Sequence, residues 1–122
     1  MDLFFSKKGT EITLRSGKNI ISHITYTIYP EKKEIFLGEL HTKQRFRKKG
    51  YASLLMSHFL KEIKQYGGYS IRLICRPFYH YRFDKRDGNL IGLNDLIAFY
   101  EKYGFVIDVK DKRMADMSKK LI

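Results

Sequence analysis

The first third of the chain alternates between apolar and polar positions as half-buried strands do. Residues 11–15 alternate strictly, and the run from 20 to 29 is rich in β-branched and aromatic side chains, which favour strands. The connections, S-G-K-N and then Pro30 with E-K-K, are turn sequences. Because they are too short for crossovers, the pattern predicts an antiparallel meander. Its three strands are predicted at 11–15, 20–29 and 34–42.

From Tyr51 onward the apolar residues recur every three or four positions, which is typical of an amphipathic helix. Gly67 and Gly68 end this helix, and Gly104 is well placed to end a second one. The elements predicted in this part are a helix from about 50 to 66, a strand at 70–75, a helix at about 92–102 and a strand at 105–109. The tail, 110–122, receives no assignment.

The predicted order is therefore β-β-β-α-β-α-β. A strand–helix–strand connection within one sheet is a right-handed parallel crossover, so the sheet must be mixed. We expect an α+β or α/β fold, with one layer of sheet and helices packed against it. The length of 122 residues suits one domain, 1–122.

Composition narrows the classes of protein. A hydrophobic content of 43% is too high for a disordered chain, and no apolar run reaches the roughly 20 residues of a membrane span. The N-terminus lacks the features of a signal peptide, so a cytoplasmic protein without a membrane partner is expected. Cys75 is the single cysteine and the four His are scattered, which argues against a metal site. The net charge of +11 predicts an anionic partner, which charge alone does not identify.

The most informative segment joins the third strand to the first helix. A strand that leads through a glycine turn into a helix presents backbone N–H groups at the helix N-terminus, where phosphate binds. Gly50 lets backbone approach such a ligand, and Ala52 is small enough not to block it. Five cations stand beside these amides: Lys43, Arg45, Arg47, Lys48 and Lys49. A solvated charged loop before an ordinary helix is the alternative interpretation.

Two motifs resemble a known family. R-K-K-G-Y-A at 47–52 matches the [Q/R]-x-x-G-x-[G/A] motif of the GNAT superfamily of N-acyltransferases, after a strand and at the start of a helix. L-I-A-F-Y-E-K-Y-G-F at 96–105 is similar to the family's closing helix. The motifs stand in the family's order, separated by one strand, and the resemblance covers about residues 20–110.

The resemblance implies a compact GNAT fold and a site for acetyl-CoA as co-substrate. Pyrophosphate would bind to the backbone amides of Arg47, Lys48, Lys49, Gly50, Tyr51 and Ala52. The pantetheine arm would pair with the strand edge at Leu40, His41 and Thr42. In this family the strands that correspond to 34–42 and 70–75 separate and admit the thioester between them. Leu93 occupies the family's asparagine position, and Asn94, one residue later, is the residue that the resemblance implies for a polar contact with CoA.

The resemblance also suggests catalytic groups. Tyr100 matches the tyrosine placed to protonate the sulfur of CoA, and Tyr103 is the reserve candidate; packing in a half-buried helix is the alternative. Glu34 stands thirteen residues before Arg47, the spacing of the catalytic Glu in several protein-acetylating members. Glu39 also qualifies as the base that deprotonates the acceptor amine.

The face of the strand 34–42 on which each residue lies helps to decide which residue is the general base. His41, like Glu39, is closer to the expected thioester than Glu34 is, and a structural role is the alternative for each. Strict alternation puts Glu34 on the face of Phe36 and Leu40, with Glu39 and His41 on the other. A bulge near Gly38 would change that parity.

Two departures from the family concern the acceptor. Most members have two helices between their first two strands, whereas only S-G-K-N separates 11–15 from 20–29. The acceptor side should therefore be open, which suits a macromolecular amine or a wall supplied by a second subunit of a homodimer. The segment 76–89 interleaves aromatic and basic residues, and we expect it to replace the missing helices in acceptor recognition. A loop that folds its aromatics over the sheet is the alternative.

The sequence thus predicts an N-acetyltransferase that moves an acetyl group from acetyl-CoA to a primary amine by direct attack. Two other functions stay open. One is a non-enzymatic nucleic-acid-binding module, in which the 43–49 cluster and the 76–89 segment bind phosphates and bases. The other is a GNAT fold that binds CoA without catalysis.

Overall fold

A computed structural model describes residues 2–77 and 92–122. The strands are β1 (Leu3–Lys8), β2 (Glu11–Ser16), β3 (Asn19–Tyr29), β4 (Glu34–Thr42), β5 (Ser70–Cys75), β6 (Val106–Lys110) and β7 (Ala115–Lys120). The α-helices are α1 (Tyr51–Glu62) and α2 (Leu93–Glu101). Short 3-10 helices lie at Pro30–Lys32, Gln44–Phe46 and Ile63–Gln65. The strands form one sheet in the order β1-β2-β3-β4-β5-β7-β6.

The predicted fold class is confirmed. β2, β3 and β4 form the antiparallel meander, and β4 pairs with β5 in parallel through the α1 crossover. The sheet is therefore mixed, with two α-helices, as an α+β fold requires. Among residues 2–50 there is no α-helix, so β2 follows β1, and β3 follows β2, by tight turns.

Two strands of the sheet were not predicted. β1 is an edge strand with an almost fully exposed sequence, so no buried alternation marks it. β7 lies between β5 and β6, which places the predicted last strand at the far edge of the sheet. Ala115 and Met117 are the buried positions of β7, and neither residue type is favoured in strands. The unassigned tail therefore supplies an inner strand.

One face of the sheet, the helical face, packs against both α-helices. Alternate residues of the inner strands are buried there, among them Ile24, Tyr26 and Leu37. The Tyr26 ring lies 5.1 Å from the ring of Phe59 on α1. Tyr103, just after α2, donates a hydrogen bond to the Ser53 carbonyl in the first turn of α1 (3.3 Å), so the two helices lie side by side. The described core is formed on this face.

The other face, here the polar face, is shaped by a β-bulge at Gly38. β3 and β4 shift register between Thr25 opposite Glu39 and Tyr26 opposite Leu37, so Gly38 is the extra residue. Strict alternation is therefore wrong across this point. Cross-strand partners share a face, which moves Leu40 to the helical face. The polar face of β4 presents Glu34, Phe36, Glu39 and His41.

A Cβ at Gly38 would lie 3.3 Å from Thr25 Oγ1, so glycine fits the bulge with little room to spare. Both described α-helices pack on the helical face, and neither of them covers the polar face. No helix in the described ranges is long and apolar enough to cross a membrane. Apart from Arg76 and Pro77, the predicted acceptor-recognition segment 76–89 lies outside the described residues.

Candidate functional site

β4 and β5 run side by side for only part of their length. Among the described residues their pairing extends from Glu34 opposite Ser70 to Leu37 opposite Leu73. β4 then continues to Thr42 while it pairs with β3, and β5 continues while it pairs with β7. Beyond the Gly38 bulge the two parallel strands therefore separate. The edge of β4 at Leu40, His41 and Thr42 turns towards this cleft, where the sequence predicted the pantetheine arm.

The loop from β4 to α1 has the backbone geometry of an anion site. Lys48 (φ 63°) and Gly50 (φ 85°) both adopt the left-handed conformation, and Gly50 is the N-cap of α1. No side chain caps the helix and its first turn contains no acidic residue. The first N–H groups of a helix have no partner within the helix, so those of Tyr51 and Ala52 can meet an anion.

Arg47 holds this loop against β4. Its Nε donates a hydrogen bond to the Thr42 carbonyl at 2.9 Å, and its Nη2 lies 3.2 Å from His41 Nε2. Ser22 Oγ in turn donates to the His41 carbonyl at 2.8 Å. The Arg47 guanidinium therefore holds the end of β4 in place beside the cleft. Lys48 and Lys49, by contrast, are exposed to solvent.

These observations together fit a long ligand with phosphates at one end. The strand edge offers backbone groups for amide pairing, and the helix N-terminus offers amides and nearby cations for the phosphates. A Cβ at Gly50 would meet nothing within 4 Å, which leaves the mouth of the loop open. Acetyl-CoA has this shape and charge distribution.

Tyr100 lies on α2, in the core on the helical face. Its side chain is 8% exposed and packs edge-on against the rings of Phe99 and Phe105, at 5.2 and 5.8 Å. Burial raises the pKa of the Tyr100 hydroxyl well above its ordinary value of 10, and the nearby Cys75 adds to the shift. Cys75 is the last residue of β5, beyond the point where β5 leaves β4.

Cys75 itself is not an activated nucleophile. It is 2% exposed, and burial raises the pKa of its thiol to about 11. The thiol therefore remains protonated near neutral pH, and its contribution is to packing.

The polar face brings a cluster of ionisable side chains to the cleft. Glu39 Oε2 lies 3.4 Å from His23 Nε2, and the His23 ring centroid is 5.6 Å from that of His41. Sequence reasoning missed His23, because only the bulge puts it on the same face as Glu39. The one available signal was an ionisable residue within a strand that has no other charged or ionisable group except tyrosines.

Glu34 lies at the opposite end of β4. Its Oε1 is 3.5 Å from Arg72 Nη1 on β5, where the two strands are still paired. At a strand rise of about 3.3 Å per residue, it stands about 10 Å before Leu37 along β4. The structure therefore places Glu34 and Glu39 on one face, with Glu39 next to the separation.

Asn94 is exposed at the second position of α2. It lines an open depression with Leu93, Asp95 and the turn between β6 and β7 around Lys110 and Lys112. No described residue of the loop between β4 and α1 lines that depression. The structure therefore does not bring Asn94 together with the anion site.

Within residues 2–77 and 92–122, no three His, Cys, Asp or Glu side chains lie close enough together to hold a metal ion.

Comparison with known proteins decides the family. The model of the acetyltransferase (GNAT) family matches residues 3–105. The chain belongs to the GNAT family. The family assignment makes it an acyltransferase, and the GNAT fold uses acetyl-CoA. No curated protein matches the chain.

Solved structures show the same fold. Ard1 from Thermoplasma volcanium superposes with a TM-score of 0.69 at 22% identity, covering 93% of this chain and 71% of that one. The PaiA N-acetyltransferase from Thermoplasma acidophilum, in complex with coenzyme A, gives 0.67 at 21% identity, with 90% and 59% covered. Arabidopsis thaliana Naa50, in complex with the bisubstrate analogue CoA-Ac-MVNAL, gives 0.64 at 16% identity, with 91% and 72% covered. The chain thus spans 59–72% of their lengths.

Proposed function

We propose that this GNAT protein transfers the acetyl group of acetyl-CoA to a primary amine of a macromolecule, by direct attack and without a covalent enzyme intermediate. The observation that supports this most is the separation of β4 from β5 beyond Leu37 and Leu73, directly beside the N-terminus of α1. The separation leaves a cleft in the sheet for the thioester, and the helix N-terminus is the anchor for the phosphates.

The loop would bind the phosphates through the amides of residues 47–52, and Lys48 and Lys49 would add attraction from solvent. The edge of β4 at Leu40, His41 and Thr42 would pair with the pantetheine amides. Acetyl-CoA supplies the activated acyl group, and this chain's side chains orient it and move protons.

The polar face supports a macromolecular acceptor. No α-helix of the described residues walls it off, so a peptide could reach the cleft across β3 and β4. The neighbouring Naa50 structure contains an analogue that joins CoA to the peptide MVNAL, which is consistent with such an acceptor for this fold. The charge of +11 favours an acceptor with acidic residues near its amine.

Two side-chain groups move protons in the reaction. A carboxylate on the polar face, Glu39 or Glu34, takes a proton from the acceptor ammonium, so that the neutral nitrogen can bond to the acyl carbon. Tyr100 donates its hydroxyl proton to the sulfur as the C–S bond breaks. Its raised pKa keeps the hydroxyl protonated at neutral pH, although it also makes the phenol a weaker acid.

The deciding experiment incubates the protein with acetyl-CoA and a panel of peptides, proteins and small amines, and identifies products by mass spectrometry. We expect a mass increase of one acetyl group on peptide or protein amines. Calorimetry with CoA should show saturable binding that is little affected by added nucleic acid.

Two results would contradict the proposal. Saturable CoA binding with no acetylated product from any acceptor class would indicate a CoA-binding domain without catalysis. Binding to nucleic acid that falls steeply with salt, without any affinity for CoA, would favour the nucleic-acid-binding module.

A further inference from the structure

Two side chains on the polar face form a pair at the mouth of the cleft. His23, near the middle of β3, lies with its Nε2 3.4 Å from Glu39 Oε2 on β4. Glu39 follows Gly38, where β4 leaves β5, so the pair stands beside the proposed position of the thioester. Both side chains remain accessible, at 16% and 29% exposure.

We propose that His23 and Glu39 act together as the proton acceptor for the attacking amine, with His23 as a catalytic residue. This inference rests on the proposed acetyl transfer. A neutral histidine ring has one nitrogen that can accept a proton, and histidine is the side chain that most often acts as a general base in enzymes. Glu39 Oε2, 3.4 Å from His23 Nε2, is placed to accept a hydrogen bond from that ring nitrogen and to orient the ring.

The neighbouring His41 is a poorer proton acceptor. Arginine can only donate hydrogen bonds, so the contact of Arg47 Nη2 with His41 Nε2 at 3.2 Å makes that nitrogen the acceptor. A further proton on His41 Nε2 would break this contact, and the ring is only 5% exposed. His41 therefore holds Arg47 and packs beside His23, while the proton goes to the pair.

The proton balance is as follows. One proton of the acceptor ammonium passes to the His23–Glu39 pair, and the neutral nitrogen forms the C–N bond as the C–S bond breaks. After the C–N bond has formed, the nitrogen loses its second proton to water, and water returns a proton to the Tyr100 phenolate that has protonated the sulfur. The pair then releases its proton to water, so the reaction as a whole releases one proton.

His23→Gln should lower kcat/KM for the acceptor about 100-fold near pH 7, which is the lower range for the loss of a general base. Its Kd for CoA should stay within about twofold, because no residue of the anion site changes. Glu39→Gln should have a smaller effect. The double variant should lose little more than His23→Gln alone, since the two groups act as a unit.

The dependence of kcat/KM on pH shows whether His23 acts as a catalytic base or only as a structural residue. Glu39 and His41 face His23 from β4, Arg47 lies behind His41, and the β2 residue in register with His23 is the uncharged Thr13. The defect of His23→Gln should shrink as pH rises and the acceptor becomes neutral by itself. It should also be smaller for an N-terminal amine, with an ordinary pKa near 8, than for a lysine amine near 10.4.

The chain provides a matched control pair on α1. His58 Nε2 lies 3.8 Å from Glu62 Oε1, and its ring stacks on Phe5 with a centroid distance of 4.0 Å, away from the cleft. His58→Gln and Glu62→Gln should keep the kcat/KM of the wild type. Thermal unfolding of each variant checks folding. If His23→Gln does not fold, Glu39→Gln, at a partly exposed position, provides the test.

An active wild type with unchanged kcat/KM in His23→Gln, or in Glu39→Gln where that variant is the test, would overturn this inference alone. A loss of equal size at every pH and for both amines would overturn it as well. A wild type that acetylates no acceptor would overturn the proposed function and this inference with it.

Discussion

The two faces of the sheet differ in how tightly their side chains are packed and in how many of those side chains are ionisable. On the helical face, alternate strand residues meet α1 and α2 in a closely packed core, where Phe59 is fully buried. On the polar face the same strands present Glu34, Glu39 and His23, paired with one another or with Arg72 and still accessible. The helical face therefore contributes most of the core packing, and the proposed proton acceptors lie on the polar face, where few side chains support the core.

The largest expected effect is the loss of stability that follows a core substitution on the helical face. Phe59→Ala should lower the free energy of unfolding by about 3–5 kcal/mol, since it leaves a cavity between α1 and Tyr26. Chemical denaturation measures this loss. Phe36→Ala, the same substitution on the polar face, should cost less than half as much because Phe36 is only partly buried. Equal losses would show that the polar face also stabilises the fold.

The next largest effect concerns CoA binding at the proposed anion site, at the N-terminus of α1. Gly50→Glu should weaken CoA binding about 100-fold, because it puts negative charge at the proposed phosphate site and adds backbone strain at φ 85°. Calorimetry measures the Kd. Gly17→Glu is the matched control, since Gly17 also has a positive φ (59°) and open space but lies in the turn between β2 and β3. Similar CoA affinities for the two variants would argue against the site.

Tyr100 tests whether a helical-face residue contributes to chemistry. Tyr100→Phe should lower kcat about 100-fold and leave the Kd for CoA within about twofold, because it removes the proton donor and keeps the ring packing. Steady-state kinetics at saturating acetyl-CoA provides the measurement. Tyr103→Phe, which removes the hydrogen bond to Ser53, is the comparison. A larger loss of kcat in Tyr103→Phe would transfer the role of acid to Tyr103.

The smallest expected effect is a change in Tm caused by a substitution in the turn between β6 and β7. Asp111 Oδ1 accepts hydrogen bonds from the backbone N–H of Arg113 and Met114, and these lower the pKa of its carboxyl group. Because the pKa of Asp111 is lower in the folded state, its carboxylate stabilises the fold at pH values above the ordinary pKa of 3.8. This stabilisation is lost as the pH falls through the pKa of the folded state. Asp111→Asn should therefore lower Tm slightly at pH 7.

At pH 3 the Tm difference between Asp111→Asn and the wild type should shrink. Asp108→Asn, which changes an exposed acid of β6, is the control at both values of pH. A Tm difference that stays constant between pH 7 and pH 3 would mean that the carboxylate of Asp111 is not its source.

The local motifs were readable from the sequence because they depend on neighbours along the chain. The turn glycines, the helical spacing from Tyr51 and the R-K-K-G-Y-A motif each specify backbone geometry within a few residues. They predicted the meander, both helices, the parallel crossover and the anion site. The same local reasoning could not identify β7, because its apolar residues are Ala115 and Met117 and its position depends on β5 and β6.

The sequence by itself determined the α+β fold class, the family and the position of the turn that we propose to bind phosphate. Only the tertiary structure decided which side chains share the cleft. One extra residue at Gly38 reverses the parity of β4, so that Glu34, Glu39, His41 and the distant His23 come to one face. The physical reason is that strand side chains alternate, and a bulge is defined by the register of two strands, which a single strand's sequence does not contain.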